Sequence, residues 1–253
     1  MTTIIGKIIM ANRSFMNYEF NLHKNRSLND FLPDKRGIFL SALATLAVCL
    51  ISILIADRPI ALAMRSVAPP IRTFFSYVTL FGNSTPYLTL FGMIFILFYP
   101  ASKSESWRSH AEVLRKYALF SFFIFVSIAL SGILTDVLKV IFARYRPVML
   151  YNEGKYGFIF FRTSPAKLLS FPSGHANTIA AFMTALYLIK PRYRFIYLLI
   201  ALMVMASRIV IGEHFVSDVV AGAYLGVLTT YYLRGFFLLH HVDIFSKHPH
   251  PVR

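Results

Sequence analysis

Long apolar runs divided by short charged stretches dominate this chain. A helix needs about 20 apolar residues to cross the ~30 Å hydrocarbon layer of a bilayer. Residues 37–56 carry no charge at all and predict a first span. Residues 74–99 are apolar but broken by Gly82, Asn83, Ser84 and Pro86. That pattern predicts one helix starting near Pro86, preceded by an interfacial segment rich in Phe and Tyr. Residues 117–138, 173–189, 195–212 and 216–239 complete the set. Their few charges (Asp136, Arg208, Asp218 and Arg234) lie near the ends of the runs. The expected fold is an all-α integral membrane protein with six transmembrane helices in one bundle.

Six spans put both termini on one side. The segments on that side hold sixteen Lys and Arg residues, and the opposite segments hold ten. The positive-inside rule therefore predicts cytoplasmic termini. The N-terminal run is interrupted by Gly6 and Lys7 and is not expected to be a secretory signal. Residues 1–36 fit an interfacial helix and a loose cytoplasmic tail equally well. Residues 37–240 form the expected membrane domain, and 241–253 a cytoplasmic tail.

Composition sharpens this picture. The 253 residues are 57% hydrophobic and 15% charged, against about 25% charged in a soluble domain, and disorder requires low hydrophobicity. Cys49 is the only cysteine, which excludes a disulfide scaffold. The net charge of +15 suits anionic headgroups. No nucleic-acid partner is expected, because the basic residues are scattered between apolar runs.

Three polar clusters stand where greasy helices end. In the first, Lys139 and Arg146 lie seven apart and precede Pro147. A helix continuing past Lys139 would put both cations on one face. The second is Pro172-Ser173-Gly174-His175, an N-cap followed by free helix N–H groups that suit an anion. The third is Ser207-Arg208, five residues, His214, three residues, Asp218. A carboxylate four residues from a histidine can fix its tautomer and free the other nitrogen as base or nucleophile. Each cluster also has a plain reading: snorkelling cations, a turn with a cap, and a buried pair holding two helices. Alternation of six spans puts all three on the membrane face opposite the termini. A helix N-terminus, three cations, two histidines and a carboxylate on one face suit a multiply charged anion such as phosphate.

In order and spacing, K-x6-R-P (139–147), P-S-G-H (172–175) and S-R-x5-H-x3-D (207–218) resemble the three-part signature of the type 2 phosphatidic acid phosphatase superfamily. The match is complete at every signature position and directly covers residues 139–218. The resemblance implies a lipid phosphatase that works through a phosphohistidine without metal or other cofactor. His214 would be the nucleophile, Asp218 its orienting partner, and His175 the acid for the leaving oxygen. Lys139, Arg146, Ser173, Gly174 and Arg208 would hold the phosphoryl oxygens. The implied partner is a lipid phosphate in the bilayer: phosphatidylglycerophosphate, polyprenyl diphosphate, a lipid A phosphate or phosphatidic acid. The implied location is a bacterial inner membrane, with the site on the periplasmic face. A lipid phosphotransferase and a non-enzymatic anionic-lipid carrier are the alternatives for the same pocket. Asp136 lies one turn before Lys139 and is placed to tether it. Residues 148–171 mix Lys155, Arg162 and Lys167 with Tyr and Phe, which fits both a headgroup grip and an aromatic belt.

Overall fold

A computed structural model describes residues 34–240, with 242 and 244. The rest of the expected N-terminal segment 1–36 and of the tail 241–253 lies outside the described residues. Helix α1 (Lys35–Ile51) passes through a π-helical turn (Ser52–Ala56) into α2 (Asp57–Arg65). Helix α3 (Pro69–Val78) and a 3-10 turn (Thr79–Gly82) lead into α4 (Ser84–Ala101). The remaining helices are α5 (Ala111–Ile141), α6 (Pro147–Glu153), α7 (Gly174–Ile189), α8 (Arg194–Val210) and α9 (Val216–Leu239). Among the described residues there is no β-strand, only isolated bridges from Arg144 to Phe158 and Leu169.

Each expected span has a helix at its place, but the boundaries differ in ways that matter. Four helical stretches are long and apolar enough to cross a membrane: Lys35–Arg65, Pro69–Ala101, Glu105–Ile141 and Pro191–Val210. The 16 residues of α7 rise only about 24 Å. Helices α7 and α9 form the inside of the bundle, where α7 packs against α5, α8 and α9. Their contact is close because it is made by small residues. A Cβ on Gly222 would meet the Ser173 carbonyl oxygen at 2.3 Å, and one on Gly226 the Asn177 carbonyl oxygen at 2.4 Å. Apolar area offers little drive for helix association in lipid, so such backbone-to-backbone packing supplies much of it. Ala176, Ala180, Ala181 and Ala185 continue the buried surface of α7.

Two sequence expectations need correction. The first helix does not end with the expected span at residue 56: the π turn carries it on through Arg65. Residues 142–146 are not helical: α5 ends at Ile141, so Lys139 and Arg146 do not share a helix face. Pro147 starts a helix instead of only blocking one, taking the first position of α6, where its missing N–H costs nothing. The 148–171 segment thus begins as a helix.

The glycine packing yields a direct expectation. Gly222→Ala and Gly226→Ala each push a methyl group into backbone that cannot move aside, and each should destabilise the fold by about 1–3 kcal/mol. Thermal unfolding of the detergent-solubilised protein should show a lowered Tm for both, whereas Gly132→Ala, which meets nothing within 4 Å, should leave it unchanged.

Candidate active site

The site is built where α5, α7, α8 and α9 end or begin. Gly212, with φ +75°, reverses the chain after α8 in a conformation that favours glycine. That turn places His214 just before α9. The backbone N–H of Phe215 donates to the Asp218 carboxylate at 2.8 Å, which brings the side chain back toward the helix start. His214 Nδ1 then lies 3.6 Å from Asp218 Oδ2. Ser170 Oγ donates to the same carboxylate oxygen at 2.6 Å and stands 3.5 Å from His214 Nδ1. An ionised Asp218 favours the proton on Nδ1, which leaves the lone pair of Nε2 free.

Ser173 caps α7, and its backbone N–H donates to the Asp218 carbonyl at 2.9 Å. Its hydroxyl is buried with no hydrogen-bond partner. Lys139 Nζ, tethered by Asp136 at 3.1 Å, comes so close to Gly174 that a Cβ there would meet it at 3.1 Å. Arg146 NH1 pairs with Glu213, and Arg208 NH2 approaches the same carboxylate oxygen at 3.7 Å. Arg208 is also held by Thr79 Oγ1 at 2.6 Å. His175 is packed against Gly82, where a Cβ would touch its ring at 2.8 Å. The eight positions that the sequence singled out therefore come together where these helix ends meet.

Behind this pocket lies a network of carboxylates around a buried arginine. Arg144 is fully buried. Its NH1 donates to Asp218 Oδ1 at 2.6 Å and Ser217 Oγ at 2.7 Å. Its NH2 donates to Asp57 Oδ2 at 2.8 Å and Tyr156 OH at 3.1 Å. Phe215 stacks 4.3 Å from its guanidinium carbon. Burial opposes the arginine's charge, but the two carboxylates outweigh it and raise its pKa above the ordinary value. Asp57 also accepts the Ser217 backbone N–H at 3.0 Å, a negative charge at a helix N-terminus. The π turn before Asp57 frees the Ile53 carbonyl, which accepts from Tyr156 OH at 2.8 Å. Single π turns in α-helices often mark functional positions, and this one sets Asp57 against the start of α9.

A family model described as the PAP2 superfamily matches residues 120–240. The "Lipid A 1-phosphatase" of Rhizobium johnstonii is 32% identical over 188 residues, covering 72% of this chain and 73% of its own. The Rhizobium etli "Lipid A 1-phosphatase" is 30% identical over 183 residues, covering 72% and 77%. The chain belongs to the PAP2 superfamily. Its fold is similar to the transmembrane PAP2 type phosphatidylglycerolphosphate phosphatase of Bacillus subtilis, with a TM-score of 0.50 and 21% identity. That likeness covers 77% of this chain and 92% of the other.

Several site residues of this PAP2 chain escaped the sequence reading. Arg144 sat inside the first motif at an unspecified position and was counted only as one more cation. Asp57 falls just past the first expected span, 37–56; the available signal is a lone carboxylate directly after 20 uncharged residues. Glu213, immediately before His214, places an anion on two of the candidate phosphate-binding arginines, as a phosphoryl group would. Thr79 and Gly82 come from the segment before α4, whose sequence carries no charge to draw attention. Among the described residues, no group of three or more His, Cys, Asp or Glu side chains is placed to hold a metal ion.

Burial pushes the His214 imidazole down to about 4, with Asp218 opposing the shift and Arg146 and Arg208 adding to it. An unfolded histidine takes up its proton near 6.5, so between about 6.5 and 4 the unfolded chain binds more protons and stability falls as pH falls. Melting curves at pH 7 to 4 should show this loss in the wild type and a shallower slope in His214→Gln. Removing one partner of a buried ion pair costs about 3–5 kcal/mol. Asp57→Asn should therefore lower Tm and, because Asp57 acts through Arg144 on Asp218, lower kcat far more than it alters KM.

Proposed function

We propose that this chain is an integral-membrane lipid phosphatase that passes the phosphoryl group through His214. The observation that carries the reading is the His214 and Asp218 pair at 3.6 Å, set in a pocket with Lys139, Arg146, Arg208 and the N-terminus of α7. A lipid carrier would use the cations but has no need of a buried, oriented histidine. Such a pair is expensive inside a membrane protein without a task.

In the proposed reaction, His214 Nε2 attacks phosphorus as the bond from phosphorus to the lipid oxygen breaks. His175 donates a proton to that leaving oxygen. A water then attacks the phosphohistidine, the P–N bond breaks, and His175 takes the water's proton as inorganic phosphate forms. Phosphoryl transfer depends mainly on positioning and charge neutralisation. Lys139, Arg146 and Arg208 supply the positive charge, while Ser173 Oγ and the Gly174 N–H donate to phosphoryl oxygens. The unpartnered Ser173 hydroxyl favours that role.

The names of the two Rhizobium relatives favour the 1-phosphate of lipid A as substrate. Phosphatidylglycerophosphate, polyprenyl diphosphate and phosphatidic acid are the remaining members of the class. The alternation of apolar runs carries the reading of six spans, and with six spans the excess of Lys and Arg on the terminus side supports cytoplasmic termini and a site at the periplasmic face of the inner membrane.

The purified protein in detergent should release inorganic phosphate from lipid A 1-phosphate at an undiminished rate in EDTA. His214→Ala should abolish release, a loss of at least about 10³-fold for a missing nucleophile. Phosphate recovered on an alcohol acceptor instead of in solution would reassign the chain as a phosphotransferase. Full activity in His214→Ala, or strict dependence on Mg²⁺, would overturn the mechanism.

A further inference from the structure

The segment after α6 contains a backbone feature that phosphate chemistry does not use. Phe160 and Phe161 have φ of 50° and 49°, a left-handed conformation that bulky side chains rarely adopt. Four backbone hydrogen bonds hold them there: Ile159 and Phe160 N–H donate to the Ala143 carbonyl, Phe161 N–H to Ile141, and Arg162 N–H to Val140. Carbonyls at and just past the C-terminal end of α5 thus find partners, and two large rings are forced outward. Phe161 is 76% exposed and Phe160 47% exposed. Strain of this kind persists where the surroundings over-determine it, and it clusters at functional sites.

The Phe160 ring belongs to a cluster. Phe160 stacks on Phe158 at 5.8 Å and lies 6.2 Å from Phe142. Phe158 and Phe142 both pack on Phe171, at 5.5 and 5.9 Å. Phe171 is two residues before Ser173, and Phe142 is three after Lys139. Phe142, Phe158, Phe160 and Phe171 thus form one aromatic cluster at the end of Glu105–Ile141, a helical stretch long and apolar enough to cross a membrane, and Phe161 follows Phe160 directly in the chain. The exposed Arg162 follows directly, a cation at the level of headgroups.

We propose that this aromatic cluster, with the neighbouring exposed Phe161, is the acyl-chain subsite of the enzyme, Phe160 and Phe161 gripping the first part of the substrate's own hydrocarbon chain while its phosphate sits among Lys139, Arg146 and Arg208. The proposal rests on the lipid-phosphatase reading and adds where the apolar half of the substrate is held. Bulk lipid is a poorer account of the rings, because membrane-crossing helices already anchor the chain and need no strained pair.

The test compares full-length wild type with Phe160→Gly/Phe161→Gly in mixed micelles. Glycine accepts positive φ without strain, so loss of fold does not confuse the result. Substrates are lipid phosphates of graded acyl length and para-nitrophenyl phosphate, which has no acyl chain. The KM for the long-chain lipid should rise about tenfold and its dependence on acyl length should flatten, with para-nitrophenyl phosphate hydrolysis as in wild type. An unchanged dependence on acyl length, or a parallel loss on both substrates, overturns the proposal. A lipid phosphate with a photoreactive diazirine on an early acyl carbon gives a readout without turnover, and should cross-link at residues 160–161 in His214→Ala as well. Absence of that cross-link also overturns the subsite. Absence of phosphate release by wild type would sink the phosphatase reading instead, with the cross-link still deciding the subsite.

Discussion

The structure turns on one buried guanidinium. Arg144 is shared between Asp57, from the first helix, and Asp218, from the last. Burying three charges is costly unless geometry and hydrogen bonding are nearly complete. Here Ser217, Tyr156, Ser170 and the backbone N–H groups of Phe215 and Ser217 satisfy most of the remaining valences. The arrangement therefore exists only when the first helix, the segment after α5 and the start of α9 are all in register. The same contact fixes Asp218 Oδ1, so Oδ2 is left to face His214. Fold and chemistry share one constraint.

In front of that network, the pocket has a complementary economy of charge. Arg146 and Arg208 meet a single carboxylate, Glu213, and Lys139 is balanced by Asp136. Three cations close to the ends of long apolar helices are thus already balanced by carboxylates. A phosphoryl group carries more charge than a carboxylate and offers more oxygens to the guanidinium forks. The free Ser173 hydroxyl and the N-terminus of α7 add donors that Glu213 leaves unused. Positive charge is held in place beforehand, so the proposed transfer would need little reorganisation.

Much of this was legible in the sequence, for identifiable reasons. Hydropathy located a helix at every expected span because apolar runs in lipid have few alternatives to helix. The catalytic candidates stood out because charges at such places demand explanation. Reasoning from spacing alone was weaker: Lys139 and Arg146 meet the same pocket from a helix end and a loop, not from one helix face. His214 and Asp218 likewise meet through a reversal at Gly212 and the cap at Phe215, not as two positions on one helix. The second layer was hidden because it depends on contacts across 74 and 87 residues of chain, which no local pattern encodes. Asp57 needed the π turn, and the glycine contacts of α9 with Ser173 and Asn177 needed the packed bundle.

If His214 carries the phosphoryl group, the phosphoenzyme can be caught. Lipid phosphate labelled with ³²P, mixed with enzyme and quenched in alkali within milliseconds, should leave an acid-labile label that peptide mass spectrometry places on His214. Asp218→Asn should reduce that label. Turnover with no alkali-stable phosphoenzyme, or label on another side chain, would contradict the central claim.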